Sequence, residues 1–315
     1  MNADSIFSKL RRSHTGAWIA TYRDFTLESA LQPIFSQDQE GVLELQAFEG
    51  LIRPSLNGEQ VRPAQFFPQV AVEDQAMIDS LCRTLHIFNT GLLGRRKVSL
   101  FVNFHPGLFV TINDIRREVD KIRLAVREAG LTNDQLACEI TQKQNDSSDM
   151  LSFFVRDLRQ HGFRIAIDEY GAEERDAERL RLLKPDYVKF EATWVKDFLE
   201  NSAGSALLRV MVEQFREQGV TAIFEGLEDL RQVDLCRELD VPLLQGYALA
   251  RPQIAPTSFN EEFPEIGMEP TKFQPVGNQT LEPYNPEIHM PRSGYSPLPA
   301  SPNRRTAAFG KRTRT

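Results

Sequence analysis

Arg164-Ile165-Ala166-Ile167-Asp168-Glu169-Tyr170-Gly171 opens as a short apolar run and closes on two carboxylates and a glycine. A run of this length with β-branched residues reads as a strand of a parallel sheet, ending at the acidic pair. Just upstream, Leu151, Phe154, Val155 and Leu158 recur at helical spacing, and Gly162 follows where a left-handed helix cap is wanted. Helix, glycine, strand is the half-unit from which parallel α/β sheets are built.

The half-unit recurs in both directions. Ile115, Val119, Ile122 and Val126 form a stripe ahead of Gly130, and Leu207, Val210, Met211 and Phe215 form another ahead of Gly219. Strands are predicted at 31–35, 43–51, 98–103, 135–140, 164–168, 187–190, 221–225 and 243–245. Eight strands alternating with amphipathic helices predict an α/β fold, a TIM-like (β/α)8 barrel with a disordered C-terminal tail. The expected divisions are a largely helical N-terminal lead-in at 1–26, the barrel at 27–253, and the tail at 254–315.

The tail is assigned by composition. Ten of the 18 prolines lie between Pro256 and Pro302, mixed with Gly, Ser and Asn, which is poor material for a buried core. From Arg292 to the C-terminus there are six basic residues and no acidic one, which suits a solvated tail or an acidic partner. The whole chain of 315 residues carries a net charge of -7, which argues against a nucleic-acid polymer as partner. Cys82, Cys138 and Cys236 are too far apart for a CxxC pair, so neither a disulfide framework nor a structural zinc site is expected. No apolar run approaches the ~18 residues of a membrane span, and no signal-peptide core follows the N-terminal basic residues. A cytoplasmic protein is expected.

The chemistry lies at the strand ends. Glu49, Asn103, Glu139, Asp168 with Glu169, Lys189, Glu225 and Gln245 each close or follow a predicted strand. Taken singly, such residues are helix caps or solvated loop positions. In a barrel, all C-terminal strand ends open on one face, so the set becomes one polar cluster. Crowded carboxylates repel one another unless cations neutralise them, and Asp, Glu and Asn oxygens suit Mg²⁺, Mn²⁺ or Ca²⁺. Two such ions can activate water and polarise a phosphoryl group, while Lys189 stabilises added negative charge. An enolase-like barrel acting on another substrate uses similar groups.

Several segments together resemble one family. Leu31-Gln32-Pro33-Ile34 and Phe48-Glu49-Gly50-Leu51-Ile52-Arg53 are similar to the opening strand and ExLxR signature of the EAL-domain family of cyclic di-GMP phosphodiesterases. Asn103-Phe104-His105-Pro106, Glu139-Ile140-Thr141, Asp168-Glu169-Tyr170-Gly171, Asp186-Tyr187-Val188-Lys189, Glu225-Gly226-Leu227-Glu228 and Gln245-Gly246-Tyr247 match its later motifs in order. The resemblance implies a metal-dependent phosphodiesterase hydrolysing the bacterial second messenger cyclic di-GMP to linear pGpG. It implies two divalent cations, Mg²⁺ or Mn²⁺, with Ca²⁺ inhibitory, held by Glu49, Asn103, Glu139, Asp168 and Glu169. It further implies catalytic roles for Glu225, Lys189 and Gln245, ligand contacts from Gln32 and Arg53, and a homodimer.

The chain departs from that family's pattern in four places. Gly50 replaces an alanine, and Glu169 replaces the second aspartate of the metal pair, moving its carboxylate outward by roughly 1.5 Å. Ala172-Glu173-Glu174-Arg175-Asp176 replaces a small-residue loop, and Gln142 replaces a glutamate that, with Glu228, would support that loop. The departures define an alternative, in which a catalytically inactive barrel acts as a cyclic di-GMP receptor or a protein-interaction module.

Overall fold

The computed structural model describes residues 4–140 and 148–265. The chain enters through the short helix α1 (Asp4–Phe7) and two strands, β1 (Leu10–Arg12) and β2 (Trp18–Tyr22), so the expected helical lead-in is mostly an antiparallel ribbon. The aromatic and β-branched run Trp18-Ile19-Ala20-Thr21-Tyr22 explains the difference, because it favours a pleated, half-buried surface. The ribbon continues into β3 (Phe25–Gln37), which pairs antiparallel along its length with β4 (Leu43–Leu56). The hairpin's far end, with β5 (Glu59–Gln60), α2 (Pro63–Phe66) and part of α3 (Gln75–Gly91), encloses a satellite core around Tyr22, Leu27, Phe66 and Leu81.

The remaining barrel strands are β6 (Ser99–Phe104), β7 (Leu136–Ile140), β8 (Arg164–Tyr170), β9 (Tyr187–Phe190), β10 (Thr221–Phe224) and β11 (Leu243–Leu244). The order β3-β11-β10-β9-β8-β7-β6-β4, with β3 pairing back onto β4, closes an eight-stranded ring. All eight predicted strands are present, and β4 and β6 through β11 run parallel. Only β3 is reversed. Residues 38–42 are too few for the crossover that parallel neighbours need, so a hairpin is the available connection. Asp38 shapes it, with Oδ1 accepting from the Glu40 amide at 2.9 Å and the Val42 amide at 2.8 Å.

The outer layer consists of α3, α4 (Ile112–Glu128), α5 (Ser148–Gln160), α6 (Glu174–Leu183), α7 (Ala192–Leu199), α8 (Ser202–Glu217) and α9 (Leu230–Glu238). Gly130, Gly162 and Gly219 have φ of 72°, 83° and 72°, the left-handed caps their positions required. The predicted stripes on α4 and α5 face the core. On α8 the stripe is rotated: Leu208, Val212 and Phe215 are buried, whereas Leu207 and Val210 are 44% and 61% exposed. Gly204 explains the rotation, since a Cβ there would lie 2.4 Å from the Phe198 carbonyl oxygen; α8 docks on α7 through this bare position.

The folded unit also runs past Pro252, correcting the boundary expected at residue 253. β12 (Gln253–Ile254) pairs with β3, and α10 (Phe259–Glu262) lays a fully buried Phe259 against Phe48, ring centres 5.4 Å apart. Arg95 donates to the Phe259 carbonyl and Asn260 Oδ1, both at 2.7 Å, and Glu265 accepts the Arg96 and Lys97 amides. Average composition hides two aromatic anchors, Phe259 and Phe263, amid the prolines. Residues 266–315, with the basic end of the tail, lie outside the described residues. The three cysteines are buried free thiols, each pushed up to about 12 by burial, as expected for inert packing residues.

Phe259→Ala is expected to destabilise the barrel by ~3–5 kcal/mol, the usual cost of emptying a buried aromatic site. Chemical denaturation followed by circular dichroism measures this; an unchanged midpoint would mean that the segment is only draped on the barrel.

Candidate active site

The barrel interior has an apolar floor made by Ile34, Ala47, Phe101, Ala137, Ala166, Ile223 and Leu243, with Tyr187 packed against it. Side chains two residues apart on a strand share a face. Two residues beyond each floor residue therefore stand Glu49, Asn103, Glu139, Asp168, Lys189, Glu225 and Gln245. On the reversed β3 the same step is taken backwards and reaches Gln32, which is directly opposite Glu49 in the ladder. One rule of alternation thus gathers eight polar residues into one layer at the mouth.

Lys189 is at the centre of that layer. Its Nζ lies 2.6 Å from Glu139 Oε1, 3.2 Å from Glu49 Oε2, 3.2 Å from Glu225 Oε2 and 3.8 Å from Asp168 Oδ1. Lys189, Glu49 and Glu139 have no solvent exposure, and Asp168, Glu225, Gln245 and Gln32 are buried. Gln245 Nε2 donates to Glu49 Oε2 at 2.7 Å. Four carboxylates around one ammonium leave an excess of negative charge where water cannot screen it, and such an excess calls for further cations.

The donor set suits hard divalent ions. Every candidate ligand offers carboxylate or amide oxygen, and the buried Gln245 Oε1 has no hydrogen-bond partner. Among the described residues, no three His, Cys, Asp or Glu side chains converge in the arrangement of a metal site.

The other candidates surround this layer. Asn103 and Glu169 are half-buried at the strand ends. Glu169 lies where the β8–β9 register shifts, with a left-handed φ of 54° that costs a non-glycine residue ~1–2 kcal/mol. Arg53 is on the same face of β4 as Glu49; burial lowers its pKa, and the Glu49 charge draws it back up. Glu228 lies apart, exposed, with Oε2 3.4 Å from Lys196 Nζ. Gln142 falls outside the described residues.

A buried network that no motif marks lies behind Asn103. Arg83 donates to the Asn103 carbonyl at 3.1 Å and to Glu118 Oε1 at 2.6 Å, pairs with Asp79, and lies 4.2 Å from the centre of the Phe104 ring. His105 Nδ1 is 2.6 Å from Asp79 Oδ1. Burial raises the pKa of Asp79, but Arg83 and His105 outweigh it and hold the carboxyl below its usual range. The network fixes the end of β6. Its one sequence signal is charge on helix faces that are otherwise apolar, as at Asp79 and Arg83, one turn apart on α3.

Comparison with known proteins points to one family. A family model described as EAL domain matches residues 20–252. The probable cyclic di-GMP phosphodiesterase PdeA of Escherichia coli (strain K12) is 29% identical over 229 residues, covering 70% of this chain and 30% of PdeA. The cyclic di-GMP phosphodiesterase PdeL of the same strain is 27% identical over 229 residues, covering 70% of this chain and 61% of PdeL. The match with PdeA thus spans less than a third of that relative's length. Among solved structures, the manganese and cyclic di-GMP complex of Klebsiella pneumoniae BlrP1 at pH 9.0 aligns with a TM-score of 0.62 and 26% identity, over 72% of this chain and 56% of that one. An EAL domain protein from Listeria monocytogenes EGD-e aligns with a TM-score of 0.62 at 21% identity, over 75% and 92% of the two chains, a likeness of fold.

Gly50, one of the departures noted in the sequence, has a neighbour that explains it. A Cβ there would lie 2.5 Å from His86 Cγ, and His86 is a buried ring held by Ser29 Oγ at 2.7 Å. Burial first, then Arg53 and Arg83, push its pKa down to about 3, so the ring is neutral. Gly50→Ala is expected to cost ~1–3 kcal/mol through overpacking. In a His86→Ala background it should cost almost nothing, and a denaturation double-mutant cycle measures the coupling; equal costs in both backgrounds would show the contact to be irrelevant.

Proposed function

The chain belongs to the EAL domain family, and from that premise we propose that it is a metal-dependent phosphodiesterase hydrolysing cyclic di-GMP to linear pGpG. The observation carrying this reading is the buried layer of four carboxylates around Lys189 at the barrel mouth. In this reading Glu49, Asn103, Glu139, Asp168 and Glu169 hold two divalent ions, Mg²⁺ or Mn²⁺. When bound, such ions polarise a phosphoryl oxygen and make water acidic enough to supply hydroxide at neutral pH.

The chain's own groups divide the remaining work. Glu225, at the rim of the layer, accepts the proton lost by the attacking water. Lys189, 3.2 Å from Glu225 Oε2, orients that carboxylate and offsets the negative charge that grows on the phosphoryl oxygens. Gln245, tied to Glu49, presents its Oε1 to the water. Arg53 clamps a ligand phosphate from the ribbon above the mouth, and Gln32 contacts a guanine. The covering ribbon and the apolar floor exclude bulk water, which strengthens each of these interactions. A charged nucleotide messenger made inside bacteria would be met in the cytoplasm; among the described residues no helix is long and apolar enough to cross a membrane.

A second reading is a receptor that binds cyclic di-GMP without cleaving it. The observation that favours it is Glu169, a longer side chain on left-handed backbone where the family has aspartate.

Incubation of the purified protein with cyclic di-GMP and Mg²⁺ or Mn²⁺, with pGpG followed by chromatography, separates the two. Product is expected, and Glu49→Ala should lower kcat/KM by more than about 100-fold, since even groups behind the ligands are worth 10–100-fold. No product with either metal, together with ligand binding in Ca²⁺, would establish the receptor instead. Glu169→Asp shortens the carboxylate and suits the left-handed position better. We expect it to raise Mg²⁺-supported turnover about three- to tenfold, or ~0.7–1.4 kcal/mol of barrier; a fall would mean that the site is adapted to glutamate.

A further inference from the structure

The loop that follows Gly171 carries charged residues where the family has small ones, and the structure shows what one of them, Asp176, does together with Arg179 on α6. Glu169 and Ala172 have left-handed φ of 54° and 55°, so the chain bends twice within four residues. That bend turns backbone amides inward. Asp176, fully buried, receives them: its Oδ2 accepts from the Gly171 amide at 3.0 Å and the Glu173 amide at 3.2 Å, while Oδ1 accepts from Arg179 Nη1 at 3.0 Å. Arg179 then reaches across the strand ends. Its Nη2 donates to the Asp168 carbonyl at 2.9 Å and to the Ile140 carbonyl at 3.4 Å.

Ile140 follows Glu139 on β7, and Asp168 precedes Glu169 on β8. The guanidinium therefore joins the two backbones that present Glu139, Asp168 and Glu169, while its own carboxylate partner holds the loop that follows β8. A flat fork with several fixed N–H groups can make all of these bonds at once, which an ammonium cannot. We propose that Asp176 and Arg179 are positioning residues that set the spacing of the carboxylates on β7 and β8 for divalent-ion binding. The proposal rests on the reading of the mouth as a metal-dependent site.

Arg179→Met removes the bridge, and Arg179→Lys keeps the charge beside Asp176 but not the fork. Mn²⁺ binding to each protein is titrated by calorimetry, and kcat and KM for cyclic di-GMP are measured at saturating Mn²⁺, with folding checked by thermal melts. Both variants are expected to bind Mn²⁺ at least about tenfold more weakly than wild type, the effect of removing support from metal ligands. At saturating Mn²⁺, kcat should fall while KM stays within about twofold, because Gln32 and Arg53 are on other strands. If Arg179→Met fails to fold, Arg179→Lys decides. Unchanged Mn²⁺ affinity in a folded variant overturns the positioning role alone, with wild-type turnover intact. A wild-type protein that neither binds Mn²⁺ nor yields product overturns the site assignment and this inference together.

Discussion

Four carboxylates meet one ammonium inside the barrel, and much of the molecule serves to make that meeting tolerable. Glu49, Glu139, Asp168 and Glu225 come from four strands, and Lys189 from a fifth. Buried like charges at this spacing would drive the strand ends apart if nothing opposed them. The closed ring opposes them mechanically through its continuous ladder, and Lys189 does so electrically. One positive charge does not balance four negative ones, and this residual demand for cations is the physical basis of the functional reading.

Two of the positions that depart from the family's pattern, Gly50 and Asp176, fit coherent local arrangements. Gly50 makes room for His86, which lies directly behind the strand that carries Glu49 and Arg53. Asp176 and Arg179 organise a loop that composition alone describes as bulky and charged. In each case the substituted residue has a partner far away or one turn on in the chain, and the two fit together. Counting departures from a motif is for this reason a poor guide to how the strands at the mouth are supported.

Both ends of the barrel are shaped by elements added to the repeating unit. The reversed β3 carries the ladder beyond the mouth as a ribbon, which brings Arg53 over the carboxylate layer. At the C-terminal side, β12 and α10 cover β3 and β4, with Phe259 filling the space beside Phe48. These additions surround the two strands that bear Gln32 and Glu49, so the side of the site nearest the hairpin is packed on both faces.

The amino-acid sequence by itself determined the eight strands, the helix caps at Gly130, Gly162 and Gly219, and the set of polar residues at strand ends, because these depend on periodicities of two and 3.6 and on local backbone preference. Even the reversal of β3 is written in the short spacing between 31–35 and 43–51. What only the tertiary structure decided is where unlike signals competed or where partners are distant in the chain. The stripe on α8 is ambiguous between two adjacent apolar rows until Gly204 docks on Phe198. The tail's first residues look unfoldable until Phe259 meets Phe48. Lys189 was legible as a strand-end lysine, but its place at the centre of the carboxylates, and the hold of Arg83 and Arg179 on the strand ends, arise from charge balance in a closed ring, which no local pattern encodes.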